Sequence, residues 1–219
     1  MSVNPTISTK ELEILAPALF TQEPHSDTSD KYHFIKTIDV IEEIKANNWY
    51  PVSVKVSNVR DEEKEGFQQH CVRFRHFEDL LNPKDNAVEL LLFNSHDRTK
   101  AFSISAGIFR FICANGLVLA DSVFETYKIK HLGERDNDVA NAVNQITAIK
   151  DKLMNKINTL SNIKLSQLEK ESFAKLSIPL RFEEHLEINH TDLLTPLRDE
   201  DYKDDLYTTL NVIQENLIR

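Results

Sequence analysis

The sequence predicts an α+β fold: a mixed or antiparallel sheet of four to five strands, N-terminal helices before it, and a C-terminal helical hairpin plus terminal helix after it. Two observations carry this. From Trp49 to Ser105, apolar residues alternate with polar ones or form blocks of strand length. From Asp138 to Leu160, in contrast, Val139, Ala142, Val143, Ile146, Ile149, Leu153, Ile157 and Leu160 recur at three- and four-residue spacing, the period of one helical face. The expected organisation is a mixed core over residues 1–135 and a mainly helical part over 136–219, packed on the core as one domain.

Each element has its own warrant. Leu12, Leu15, Ala16 and Leu19 fall on one face of a helix from Lys10 to Phe20, with Ser8 as its cap. A polar stretch from Thr21 to Asp30 and a short apolar segment at Tyr32 to Ile35 lead to a second helix, Ile38 to Ala46, which has Asp39 early and stops at Asn47-Asn48. Tyr50, Val52, Val54 and Val56 alternate within Trp49 to Val59, as in a half-buried strand. Arg60 to Glu65 reads as a solvated loop. Further strands are predicted at His70 to Phe77, Val88 to Phe93 and Lys100 to Ser105, with a fifth at Phe124 to His131. Beyond the long helix, Leu165 to Leu176 forms a shorter one closed by Pro179, and a last helix from about Asp201 to Ile218 carries Leu206, Leu210, Ile213 and Leu217 as its apolar stripe.

The densest polar chemistry follows the apolar run Val88 to Phe93, where Asn94, Ser95, His96 and Asp97 stand in a row. Loops at the ends of buried strands are where rigid scaffolds carry sites. Arg110 and Cys113 lie one helical turn apart before a stop at Asn115-Gly116, and a charge on so apolar a stretch has to be paired or reach a ligand. Asn94, His96, Asp97, Arg110, Asn115 and His131 therefore form the expected polar cluster, converging at one edge of the sheet. The structural alternative is a tight turn in which Asn94, Ser95 and Asp97 bond to backbone and His96 is the anchor. Three consecutive side chains diverge, so Ser95-His96-Asp97 is not a nucleophilic triad. Neither His96, Asp97 and His131 nor His70 and His76 show the spacing of a metal-ligand set, and no metal or cofactor is expected.

Charge is unevenly distributed. The chain carries a net charge of -9, yet residues 70–131 hold eight Lys/Arg against seven Asp/Glu. That leaves a nearly neutral centre, with His70, His76, His96 and His131, inside an acidic periphery. Arg73 and Arg75 share one face of their strand, and Lys128 and Lys130 repeat the same spacing. With Arg98 and Lys100 they are the expected phosphate contacts, against the alternative that the arginines cover an exposed face and pair with acidic neighbours. No apolar stretch reaches the roughly 20 residues of a membrane helix, and the N-terminus lacks a basic, apolar leader. Together with two cysteines set among apolar neighbours, Cys71 and Cys113, this points to a cytoplasmic protein with reduced thiols.

Several separated stretches resemble one family. Asn94-Ser95-His96-Asp97, Gly107 to Val118 (GIFRFICANGLV) and Lys128 to Gly133 (KIKHLG) are similar to the domain-of-unknown-function family 932, the YfjQ/YafZ-like proteins of prophages and conjugative plasmids. Lys31 to Ile35, Thr37 to Ile41, Val72 to Arg75 and Asp205 to Ile218 agree with it too, so the resemblance spans nearly the whole chain. Members of that family usually continue past the position of Arg219 with a basic segment and a further helix. The resemblance implies an accessory protein of a mobile genetic element. Joined to the central cations, it favours one that handles nucleic acid; the alternative is a protein inhibitor of host defence acting through its acidic surface. An enzyme stands third.

Overall fold

The computed structural model describes residues 6–29, 32–59, 61–83, 86–110, 116–117, 138–183 and 186–218. Helix α1 (Thr9–Leu15) opens with a reciprocal capping box, in which Ser8 N donates to Glu11 Oε2 at 2.7 Å and Glu11 N donates to Ser8 Oγ at 3.3 Å. It stops short of the predicted Phe20 because Pro17 cannot continue it, and Pro17–Phe20 form a separate 3-10 turn. Helix α2 (Thr37–Ala46) ends where predicted, with Asn48 in the left-handed region at φ 64°.

Strands β1 (Trp49–Val56), β2 (His70–His76), β3 (Asn86–Asn94), β4 (Ser103–Arg110) and the two-residue β5 (Gly116–Leu117) form an antiparallel meander in chain order. A short helix α3 (Phe77–Leu81) joins β2 to β3. At the β1 edge, Pro51 sits beside a register shift between Pro51 and Ser53. Proline is tolerated there because an edge strand has backbone N–H groups without ladder partners.

Register decides which side chains share a face. Val72, Leu92 and Ile104 align across β2, β3 and β4, as do Phe74, Leu90 and Ala106, and all six are fully buried. Thr37 of α2 bonds to His70 and Asn94 on this same face, so α2 lies across it, with Ile41 and Ile44 buried. Truncating Phe74 to alanine in so closed a layer costs about 3–5 kcal/mol. Helix α4 (Asp138–Asn162) adds Val139, Ala142, Val143 and Ile146, and Trp49 Nε1 donates to Thr147 Oγ1 at 3.0 Å.

The chain divides into two compact units, Met1–Lys150 and Asp151–Arg219. The division falls within α4, whose Thr147 and Lys150 are engaged by Trp49 and by Asp79 of the first unit. In the second unit, α5 (Gln167–Ser177) begins with another capping box, Ser166 with Glu169. Its Ala174 packs with Leu193 and with Ile213 of α6 (Leu206–Ile218). Helix α6 starts later than the predicted Asp201 because Asp205 is the residue that caps it, accepting from Thr208 N at 2.8 Å and Thr208 Oγ1 at 2.9 Å. Asp199–Asp201 form a 3-10 turn ahead of it.

Two sequence expectations move. The strand expected at Lys100 to Ser105 runs from Ser103 to Arg110, so Phe109 and Arg110 belong to a strand instead of a helical segment. Lys100 is left in the preceding turn. The predicted strand at Phe124 to His131 lies outside the described residues.

Candidate functional site

The polar row after β3 closes over a buried network. Thr37, His70, Asn94, Ser95 and His96 are all essentially inaccessible to solvent. His70 Nδ1 lies 3.1 Å from the Gln68 carbonyl, which can only accept, so this nitrogen carries the proton. Burial depresses the His70 pKa to about 4, outweighing the backbone bond and the nearby Asp97 charge, and the ring is neutral at pH 7. Its Nε2 is then an acceptor, and Thr37 Oγ1 donates to it at 2.8 Å. With its one proton spent, the Thr37 oxygen accepts from Asn94 Nδ2 at 3.0 Å and from His96 Nε2 at 3.4 Å. Asn94 gives its second amide proton to the Ile35 carbonyl at 3.3 Å.

This cluster staples α2, β2, β3 and the following turn to one another. The His96 amide donates to Phe67 O at 2.8 Å, the His96 carbonyl accepts from His25 N at 3.0 Å, and its ring lies 4.8 Å from that of Phe34. Ser95 Oγ donates to Lys100 O at 3.2 Å and accepts from Lys100 N at 2.9 Å, closing the turn as a loop clamp. Asp97 accepts from Thr99 N at 3.0 Å and Thr99 Oγ1 at 2.6 Å. Burial opposes ionisation of Asp97, but these bonds and one from Ser95 prevail and hold its carboxyl below the usual value. Arg98, between them, adopts φ 66°. Ser95, His96 and Asp97 follow the tight-turn alternative, whereas Asn94 bonds to Ile35 and Thr37 far away in the chain; Thr37, His70, Asn94, Ser95 and His96 are closed to solvent, and Asp97 is partly exposed.

The six-residue convergence is not what the register produces. Arg110 pairs with Asn86, whereas Phe93 pairs with Ser103, so Arg110 and Asn94 occupy opposite ends of the β3–β4 pair. Eight strand residues separate the levels of Asn86 and Asn94, roughly 27 Å at the usual rise. The physical reason is that successive antiparallel strands finish at opposite edges. Asn94, His96 and Asp97 gather; Arg110 stands apart. Asn115, His131, Lys128, Lys130 and Cys113 lie outside the described residues, as does the Arg110 side chain.

The other sheet face carries the arginine pair. Arg73 and Arg75 do share it, together with Glu89 of β3, whose carboxylate is fully buried. Arg73 Nε donates to Glu89 Oε2 at 2.6 Å, and Arg75 Nε donates to Oε1 at 3.1 Å with its Nη2 on the same oxygen. The expected role of these two arginines as a phosphate clamp is thereby corrected: a buried carboxylate holds both guanidinium groups. A lone charge inside the apolar run of β3 must be paired, so Glu89 is the one feature of the sequence that could have hinted at a cationic partner, without naming it. A similar signal exists at Lys150, which interrupts the apolar stripe of α4 and pairs with Asp79 at 2.9 Å and Glu78 at 3.4 Å. His70 and His76 sit at opposite ends of β2. Among the described residues there is no group of three or more His, Cys, Asp or Glu that could hold a metal ion.

At the far end of the same face, cations collect around Cys71 and Phe93, which are register partners. Lys55 is the β1 partner of Cys71, and Lys100 Nζ lies 5.3 Å from the Phe93 ring centre. Burial pushes the Cys71 thiol up to about 11, although Arg73, Lys55 and Lys100 all act to lower it. Phe93 remains partly exposed, and Arg98 in the adjoining turn is exposed.

Fold and site together define an α+β protein with an enclosed polar staple on one side of its sheet and a cationic corner on the other. Residues 24–219 match the family described as Domain of unknown function (DUF932), and the chain belongs to that family. Two curated relatives, the UPF0380 proteins YafZ and YfjQ of Escherichia coli (strain K12), are each 29% identical over 214 residues, covering 97% of this chain and 77% of their own length. No solved structure matches this chain. Among the described residues, no helix is long and apolar enough to cross a membrane.

Proposed function

We propose that this chain is a cytoplasmic accessory protein of a mobile genetic element that contacts nucleic acid through the cationic corner formed by Lys55 beside Cys71 and Lys100 over Phe93, with Arg98 in the adjoining turn. The observation that carries the reading is the pair of cations not held by Glu89, Lys55 beside Cys71 and Lys100 over the partly exposed Phe93 ring, in a chain whose net charge is -9. Against such an acidic background, a local cationic patch supplies the sequence-independent attraction that draws a phosphate backbone. Arg73 and Arg75 support the corner from beneath through Glu89 and do not themselves touch the nucleic acid. The mobile-element part of the proposal draws on the resemblance to prophage and plasmid proteins.

Fluorescence anisotropy with labelled single-stranded and duplex DNA and RNA, at two salt concentrations, tests the proposal. For a single strand, removing one phosphate-neutralising cation lowers the slope of log K against log salt by about 0.7, so Lys55→Ala/Lys100→Ala lowers it by about 1.4. Binding that is absent at low salt, or unchanged in slope and affinity by the double substitution, refutes the assignment.

A further inference from the structure

The sheet face that carries the arginine pair is open along β1 and β2. Glu89, Leu91 and Ser105 of β3 and β4 are buried on it, whereas Tyr50, Ser53 and Lys55 of β1 and Cys71 and Arg73 of β2 reach solvent. Aromatic rings stand at both ends of this open strip. Phe93, the register partner of Cys71, marks one end; Tyr50, the register partner of Arg75, marks the other, with the Phe77 ring centre 6.2 Å from its own. Phe77 is 45% exposed. Cys71 and Arg75 are four strand residues apart, so the two aromatic ends are separated by about 13 Å along the strands. All of these residues belong to the first compact unit.

We propose that this strip binds single-stranded nucleic acid in preference to a duplex, with one base stacked on Phe93 and another on Phe77 beside Tyr50; the inference rests on the nucleic-acid reading above and names its substrate class. In a duplex the base faces are covered by their neighbours and the backbone alone is offered, whereas an unpaired strand offers phosphates and base faces together. A track with a stacking ring at each end and cations along it uses both. The span of about 13 Å fits the short end of single-strand site sizes, about four nucleotides. Charge fits the same occupant. Lys55 and Lys100 flank the Phe93 end, and Glu89 holds two arginines, which leaves that trio with one positive charge under the middle of the strip. Against them, Glu78 and Asp79 at the Phe77 end share Lys150, at 3.4 and 2.9 Å, and Asp97 offsets Arg98 in the turn. The strip is therefore cationic on balance in a chain of net charge -9, with its cations gathered at the Phe93 end. That end holds the backbone, and the Phe77 end contributes stacking. Lys100 Nζ lies 5.3 Å from the Phe93 ring centre; a cation over an exposed ring is weakly held, so a base displaces it and the ammonium turns to a phosphate.

Fluorescence anisotropy of the full chain at low salt, with three labelled probes of equal length, decides it: an oligothymidylate, its duplex with oligoadenylate, and an abasic strand with the same phosphodiester backbone. The wild type binds the oligothymidylate most tightly. Phe77→Ala removes a half-exposed ring, and Phe93→Leu keeps apolar bulk while removing the π-face. Each weakens oligothymidylate binding about five- to 150-fold, leaves the salt slope unchanged because a ring releases no counterion, and leaves abasic-strand affinity at the wild-type level. Equal affinity for duplex and single strand, or oligothymidylate binding that neither ring substitution changes, overturns this inference and leaves the cationic-corner proposal standing. Equal weakening on all three probes makes the rings structural and overturns it as well. Absence of all binding at low salt overturns both.

Discussion

Lowering the pH should destabilise this protein through one buried imidazole. His70 titrates near 6.5 when unfolded and at about 4 when folded, because burial penalises its charged form. A histidine with a depressed folded pKa binds fewer protons in the native state, so its contribution is intact above pH 6.5 and is lost as pH falls toward 4. The full loss is about 3 kcal/mol, and by pH 5, where the folded ring is still neutral, about 2 kcal/mol is gone. Carboxylates titrating in the same range contribute as well, so the clean quantity is a difference between two proteins. Urea denaturation at pH 7 and pH 5 of the wild type and of His70→Gln, which keeps polar atoms near Thr37 and Gln68 but does not titrate, supplies it. The wild type should lose about 2 kcal/mol more than the variant over that interval. Equal losses in the two proteins, or a His70 ring proton titrating near 6.5 by NMR, would refute the tautomer and burial argument on which the network rests.

Three further outcomes concern other parts of the fold. Glu89→Gln strands two arginine guanidinium groups against a neutral partner in a buried setting and should cost about 3–5 kcal/mol in chemical denaturation; a loss below 1 kcal/mol would place that trio effectively in solvent. Asp205→Ala removes both bonds to Thr208 at the start of α6 and should cost about 1–2 kcal/mol, read from the same denaturation curves. Cys71, with its thiol at about 11, should react far more slowly with a disulfide reagent at pH 8 in the native protein than in urea; equal rates would contradict its burial.

Much of the fold was legible because local rules suffice for it. Ser8, Asn47-Asn48 and the apolar period of α4 each act within a few residues, and the elements they define lie where those signals put them. Boundaries moved where a second local rule overrode the first: Pro17 broke the first helix, and Asp205 displaced Asp201 as the start of the last. The candidate site was less legible. Alternation placed Arg73 and Arg75 on one face of β2, but nothing near them in the chain says that Glu89 arrives from β3 to hold both.

By itself, then, the sequence determined the element types, the family, and the turn chemistry of Ser95 to Asp97, since propensity, capping and local side-chain bonds depend on neighbours in the chain. Only the tertiary structure decided which partners these residues meet. Strand register sent Arg110 to the opposite end of the sheet from Asn94 and set Lys55 beside Cys71, while packing brought Thr37 from a helix 57 residues away to complete the buried network and Lys100 over Phe93. Register is fixed by which faces bury together, a balance struck across the whole core. It leaves no mark on any one segment from which the partners of a charge could be read.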